Sequence, residues 1–429
     1  MSQMCPLDLV TANPAYRKLM PHIFLVILWH PHSEKEWPES FDEGFFERAA
    51  WKVSETSPSL ADALRRRLSI YNLETGSLAN HHEYFCAIAH GLPEDDSLRS
   101  GLLEALLQLF EADGSHEGAR LCPDGLIHLI TGICQQTGGR SFYDPLSATG
   151  RLLAELVSNS APSSFGLGHT AADEDILHGL LRAYFMQGSL AFEKADALSS
   201  PPINEGIIQS FDVVVSDLSA GADTWDPELG ARDSLRRFRY GTAPKGKGEW
   251  PFIQHMLACM RPGHGMAVAV VDLAALLREG KEAEIRRAII QANLLDAVIY
   301  LPPKLYRSDA RALAILVFKS SRHSRSVLLI DGSKQYTSEK SLNTLTPVGI
   351  QQIQEHYSRR EPVDRNAVLL STAELETNGF VLNPRRYFSA RPEEGLHDLE
   401  ALCREHEHLK SELLDVGAQI DELLGRLTG

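Results

Sequence analysis

The sequence predicts an α/β protein: a doubly wound, mostly parallel sheet, preceded by a mainly helical region and followed by a coiled-coil helix. Between residues 121 and 333, short Val-, Ile- and Leu-rich runs alternate with helical patterns, the order that builds a parallel sheet with helices on both faces. The region up to about residue 115 is acidic, with apolar residues at three-and-four spacing, the mark of amphipathic helices. From residue 399 to 427 apolar positions recur at alternating steps of 3 and 4, the period of a coiled-coil seam. A chain of 429 residues is long for one core. The expected divisions are 1–115, 116–390 and 391–429.

Taken in order, 61–68 and 98–110 carry helical spacing, and Pro93, Glu94, Asp95 and Asp96 mark a turn between such segments. The apolar run 23–29 falls far short of the roughly 20 residues a membrane helix needs, so a buried strand or helix segment without an export signal is expected. The runs 211–215, 266–271, 295–301, 312–318 and 326–330 suit strands buried on both faces. Trp250, Phe252, Ile253, Met256, Leu257 and Met260 fall on one side of a helix, as do Ile285, Ala288, Ile289 and Ala292. Only residues 319–325 separate the last two strands, too few for a crossover helix, so these strands are expected to pair antiparallel. An α/β sheet ending in such a hairpin is the outline of the class I methyltransferase fold. The closing repeat is Leu399, Leu402, His406, Leu409, Leu413, Val416, Ile420, Leu423 and Leu427. It either packs back on its own body or docks on another chain, a second copy included.

Apolar residues at 43% and aromatics at 7% exclude a disordered chain. With 42 Lys and Arg against 57 Asp and Glu, a net charge of −15 excludes a uniformly basic nucleic-acid wrapper, so phosphate contact requires a local patch. Residues 232–249 supply one: Arg232, Arg236, Arg237, Arg239, Lys245 and Lys247 against Asp233 and Glu249, with Phe238 and Tyr240 interleaved. It suits phosphate anchoring and reads equally, on charge alone, as a solvated basic loop. The six cysteines are scattered, without a C-x-x-C pair or a histidine at ligand spacing, which suggests reduced thiols in a cytoplasmic protein and no metal site. His30, His32, His81 and His82 likewise lack partner ligands and are read as surface or core residues. The fragment Gly166-x-Gly168-x-x-Ala171 matches a dinucleotide fingerprint but lacks its context of a preceding strand and a later acidic residue, and is read as chance.

Three stretches carry a family likeness. RFRYGTAPK over 237–245 followed by WPFIQHML over 250–257, EIRRAIIQANLLDAVIYLPPKLY over 284–306, and NGFVLNPRRY over 378–387 resemble segments of the methylation subunits of type I restriction-modification systems. The likeness runs from about residue 119 to the end. It implies N6-adenine DNA methylation with S-adenosylmethionine, and a C-terminal helix that meets a specificity subunit. The family's cofactor loop, a pattern like D-P-x-C-G-T-G, is matched by Asp144, Pro145, Thr149 and Gly150, with Ala148 in place of the first glycine. The resemblance also implies an acidic residue at the end of the second strand to hold the ribose hydroxyls, where this chain has Gly168, and a later acidic residue near the adenine ring, which Asp196 fits. Ordinary strand-end polarity is the alternative reading of Asp144 and Asp196.

The target-base loop of the family is N/D-P-P-Y/F. Its acidic or amide oxygen and a proline carbonyl accept from the adenine amine, and its ring stacks on the flipped base. Here the loop is Asp217, Leu218, Ser219 and Ala220. Asp217 can still accept, but the paired prolines and the ring are gone, and lost stacking alone forfeits about 1–3 kcal/mol. The expected function is therefore a DNA-binding subunit of this family with impaired catalysis and weakened cofactor binding, acting in DNA contact and assembly. The alternatives are an active S-adenosylmethionine-dependent N6-adenine methyltransferase and an α/β protein-interaction module without a DNA role.

Overall fold

The computed structural model describes residues 6–12, 16–29, 37, 41–70, 81–112, 122–186, 189–220, 222, 225–306, 309–339, 342–363, 365–388, 406, 407, 409 and 410. The chain divides into one unit ending at Tyr387 and a second beginning at Phe388. In the second, His406, Glu407, Leu409 and Lys410 are helical and exposed; the other positions of the predicted seam lie outside the described residues.

The first unit opens with helices α1 (Pro6–Ala12), α2 (Tyr16–Trp29), α3 (Glu43–Thr56), α4 (Pro58–Ile70), α5 (His82–Gly91) and α6 (Asp96–Ala112). The apolar run 23–29 belongs to α2, which is buried along residues 19–28, so it has no wet face to maintain. On α3, Asp42 caps the first turn by accepting from the Phe45 amide at 2.8 Å, and Phe45, Phe46, Ala49, Ala50 and Val53 line its buried side. The successive pairs Phe41–Phe45, Phe45–Phe46 and Phe46–Phe85 meet with ring centroids 4.9–5.3 Å apart, in the edge-to-face geometry that ring quadrupoles favour.

The sheet has nine strands in the order β13-β10-β8-β9-β7-β6-β1-β2-β3. They are β1 (Ser141–Asp144), β2 (Phe165–Thr170), β3 (Leu190–Lys194), β6 (Val213–Asp217), β7 (Met266–Asp272), β8 (Leu295–Tyr300), β9 (Leu313–Lys319), β10 (Val327–Asp331) and β13 (Ala367–Leu370). Two small hairpins complete the strands, β4 (Ile203–Asn204) with β5 (Ile207–Ile208) and β11 (Tyr336–Glu339) with β12 (Leu342–Leu345). Helices α7 (Asp124–Gln135), α8 (Arg151–Ser158), α9 (Asp173–Phe185), α10 (Pro227–Ala231), α11 (Glu249–Cys259), α12 (Leu273–Leu277) and α13 (Lys281–Gln291) connect and cover the sheet. Further on lie α14 (Pro347–Arg359), α15 (Thr372–Thr377) and α16 (Pro384–Phe388).

Two expectations are corrected. The strands either side of residues 319–325 do not form a hairpin: β9 lies antiparallel between β7 and β8, and β10 pairs parallel with the far side of β8. Seven residues cannot hold a crossover helix, but they can step over one strand, because neighbouring strands are only about 4.8 Å apart. Secondly, α11 is buried nearly all round, Glu249, Gln254 and His255 included, rather than on one side. The two glycines of the fragment read as chance, Gly166 and Gly168, lie inside β2, and Ala171 follows directly after it.

Candidate functional site

β1 pairs with β2 on one side and β6 on the other, so the chain leaves this pair of strands in opposite directions. In an open α/β sheet such a switch point leaves a crevice at the carboxyl ends of the strands. Asp144 and Asp217 are the last residues of β1 and β6, and the topology brings both to that crevice. Asp144 is buried; its Oδ1 accepts from the Ser216 hydroxyl at 2.7 Å and the Leu146 amide at 3.1 Å. Burial pushes its carboxyl up to about 7, with Asp217 adding in the same direction and the hydrogen bonds only partly opposing.

The loop after β1 carries Pro145, Thr149 and Gly150. Ala148 sits at φ 44 and Gly150 at φ 80, so both adopt the left-handed backbone that glycine tolerates best. The Gly150 amide donates to the Ser147 carbonyl at 2.8 Å. Arg182 on α9 donates to the Thr149 carbonyl at 2.6 Å and makes two 2.9 Å bonds to Glu104 on α6. The N-terminal helices therefore brace the loop. Facing it, the Phe192 ring of β3 is enclosed by three glycines: a Cβ at Gly150, Gly168 or Gly179 would stand 2.4, 2.5 or 2.8 Å from it. Asp196, just past β3, is exposed and accepts from the Leu198 amide at 3.1 Å and the Ser199 hydroxyl at 2.9 Å.

After β6, Leu218–Ala220 form a 3-10 turn. Asp217 Oδ1 accepts from the Ser219 amide at 3.1 Å and the Ser219 hydroxyl at 2.7 Å, and Oδ2 accepts from the Tyr306 hydroxyl. Tyr306 ends the LPPKLY stretch and is buried there; burial, with Asp217 close by, holds its phenol well above the ordinary range. Arg311 secures the turn from outside, donating to the Ser219 carbonyl at 3.2 Å while pairing with Asp272 and Asp309.

The basic loop separates into two sets. Arg236, Arg239, Lys245 and Lys247 are exposed. Arg237 is buried instead and cannot share that surface: it pairs with Asp233 at 2.8 Å and donates to the carbonyls of Ala197 and Leu198 at 3.1 and 2.7 Å. It also meets His255 at 3.2 Å, which joins it to Tyr143 and His169 in one buried chain of hydrogen bonds. Burial and Arg237 keep His255 well below the ordinary histidine range. Phe238 packs on Trp225 with centroids 4.9 Å apart, whereas Tyr240 is half-buried beneath the Arg239 guanidinium.

The sheet order, with β9 antiparallel between β7 and β8, is that of a class I methyltransferase-like fold. The chain belongs to the N-6 DNA Methylase family, whose profile matches residues 95–395. It is similar to the type I restriction enzyme MpnII methylase subunit of Mycoplasma pneumoniae, 26% identical over 303 residues, covering 66% of this chain and 54% of that protein. The MjaVII methylase subunit of Methanocaldococcus jannaschii is 24% identical over 343 residues, 76% of this chain and 58% of that one. The chain thus spans somewhat more than half the length of these two relatives. Among solved structures, the type I restriction-modification methyltransferase subunit of Streptococcus thermophilus shares the fold, with a TM-score of 0.70, 20% identity and coverage of 90% of this chain and 97% of that one.

Sequence reasoning alone does not find Phe192, Tyr306 or Arg182. Each lies far along the chain from the loop it touches, and the only signal for Tyr306 is its place at the end of LPPKLY.

Proposed function

We propose that this chain is a DNA-contacting, assembly subunit of a type I restriction-modification-like complex, catalytically impaired as an N6-adenine methyltransferase. One observation carries the reading: both oxygens of Asp217 are occupied from within the fold, one by Ser219 and one by Tyr306. An adenine amine would have to share Oδ2 with the buried Tyr306 hydroxyl on a carboxylate that already accepts three hydrogen bonds, and neither paired prolines nor a ring at Ala220 would hold the base in line. Asp144, Pro145, Thr149, Gly150 and Asp196 are, on this reading, the remains of an S-adenosylmethionine site.

Arg236, Arg239, Lys245 and Lys247 are the candidate phosphate contacts, offered by a loop that Arg237 fastens from beneath. Residues 1–115 act as the helical brace, 116–390 as the methyltransferase-like body and 391–429 as the docking helix for a specificity-type subunit or a second copy. The test joins two measurements on the full chain. Tritium transfer from S-adenosylmethionine to oligonucleotides should stay at background, and DNA retention should fall with salt and weaken in R236A/R239A/K245A/K247A. Steady transfer by the purified chain would establish the active alternative. Retention unaffected by the four substitutions would favour the protein-interaction alternative.

A further inference from the structure

S-adenosylmethionine, the cofactor the family implies, needs room for a ribose beside β2 at the level where β1 ends, and the residues there do not fit it. The position where the resemblance implies an acidic residue is Gly168. Gly168 lies opposite Phe192 in the parallel register of β2 and β3, so side chains at the two positions emerge on the same face. The Phe192 ring is only 7% exposed. It stands 2.5 Å from where a Cβ on Gly168 would be and 2.4 Å from a Cβ on Gly150 in the cofactor loop. Any side chain at 168, including a carboxylate reaching for ribose hydroxyls, would have to enter volume the ring already fills. Interiors packed at this density do not absorb such an overlap without displacing something.

The geometry points to Phe192 as a seal on the ribose side of the cofactor site, the counterpart of the lost carboxylate: glycine on one strand makes room, and the ring on the next fills it. This inference rests on the impaired-enzyme reading and names the residue that shuts the site. Gly179 on α9 completes the enclosure from the helix side, where a Cβ would stand 2.8 Å from the ring. The ring is therefore held on three sides by positions that must stay glycine.

The full chain can be titrated calorimetrically with S-adenosylmethionine to millimolar concentration. Wild type should give no saturable heat. Phe192→Ala, and Phe192→Leu as a variant that keeps more of the core volume, should gain saturable binding at least tenfold tighter than any limit set for wild type. Adding Gly168→Glu to Phe192→Ala should tighten it further, because the carboxylate then has room. A second readout needs no cofactor: Gly168→Glu alone should lower Tm, and Phe192→Ala in the same chain should recover part of that loss, so the two effects are non-additive. Micromolar binding by wild type overturns the proposal, as do folded Phe192 variants that give no heat, or additive shifts in Tm. DNA retention measured on the same samples separates the two ideas. Unsealed variants that bind cofactor while wild type retains no DNA would sink the assembly reading and leave the seal standing.

Discussion

At Asp144, burial dominates. The unfolded chain titrates near 3.8 and the folded carboxyl near 7, so between these values the folded state holds a proton the unfolded state has released. Stability from this group is greatest when it is protonated and is lost as pH rises from about 4 to 7, each tenfold change in proton affinity being worth about 1.4 kcal/mol. Asp144→Asn, neutral throughout, should therefore gain Tm relative to wild type on going from pH 5 to pH 8. Parallel Tm profiles would show that the carboxyl ionises freely. Ala148 is a second local tension, a side-chain-bearing residue at φ 44. Left-handed backbone costs an L-residue about 1–2 kcal/mol, part of which glycine would return as extra chain entropy in the unfolded state. Ala148→Gly should melt at or above the wild-type temperature, whereas Ala148→Val, branched at Cβ, should be less stable by about 1 kcal/mol or more. Equal melting of all three would mean that the loop relaxes around the substitution. That Asp144, Pro145, Thr149 and Gly150 lie close together follows from sequence, because they share one short segment. The Tyr306 hydroxyl on Asp217 could not, since 89 residues separate the pair.

The basic loop shows why a charge run is an incomplete guide. Arg236 and Arg237 are adjacent, yet one is exposed and the other is buried with Asp233, both side chains of that pair being 4% exposed. Removing one partner of a buried pair leaves an uncompensated charge, at about 3–5 kcal/mol. Arg237→Ala should lower Tm markedly and loosen the 196–198 loop as well, because two of its carbonyl partners are Ala197 and Leu198. Arg236→Ala with Arg239→Ala should leave Tm within experimental scatter and act on DNA retention alone. Differential scanning calorimetry beside a filter-retention assay tells the two apart, and equal loss of stability in both variants would contradict the division. Charge composition locates such a loop but not the direction each guanidinium takes, which depends on the strand and helix beneath it. The same holds for α11, where apolar spacing suggested one buried side but packing covers nearly the whole helix.

At the scale of the molecule, the first unit closes at Tyr387, anchored near its end by buried contacts. Arg286 donates to the Phe380 carbonyl at 2.8 Å, and the Tyr300 hydroxyl to the Leu382 carbonyl at 3.2 Å. A chain stopped after Pro392 should therefore melt with the Tm of the full chain and keep its salt-sensitive DNA retention while losing co-purification with a specificity-type subunit or a second copy. A large drop in Tm would show that the tail is part of the folded body. The bracing of the loop after β1 through Arg182 and Glu104 also works at this scale. It ties the acidic N-terminal helices to the body, so that region cannot be treated as an appendage.

The alternation of β and α segments, the buried strands and the family motifs could all be read directly from the chain, because each depends on residues within one element or one short loop. Strand order could not: the place of β9 between β7 and β8 is chosen by pairing across the sheet, and connector length limits it without selecting it. Nor could the state of the site. Whether Asp217 is open to a substrate, and whether Gly168 leaves space or merely accommodates Phe192, depends on side chains that meet only when distant segments pack, and close packing leaves each volume a single occupant.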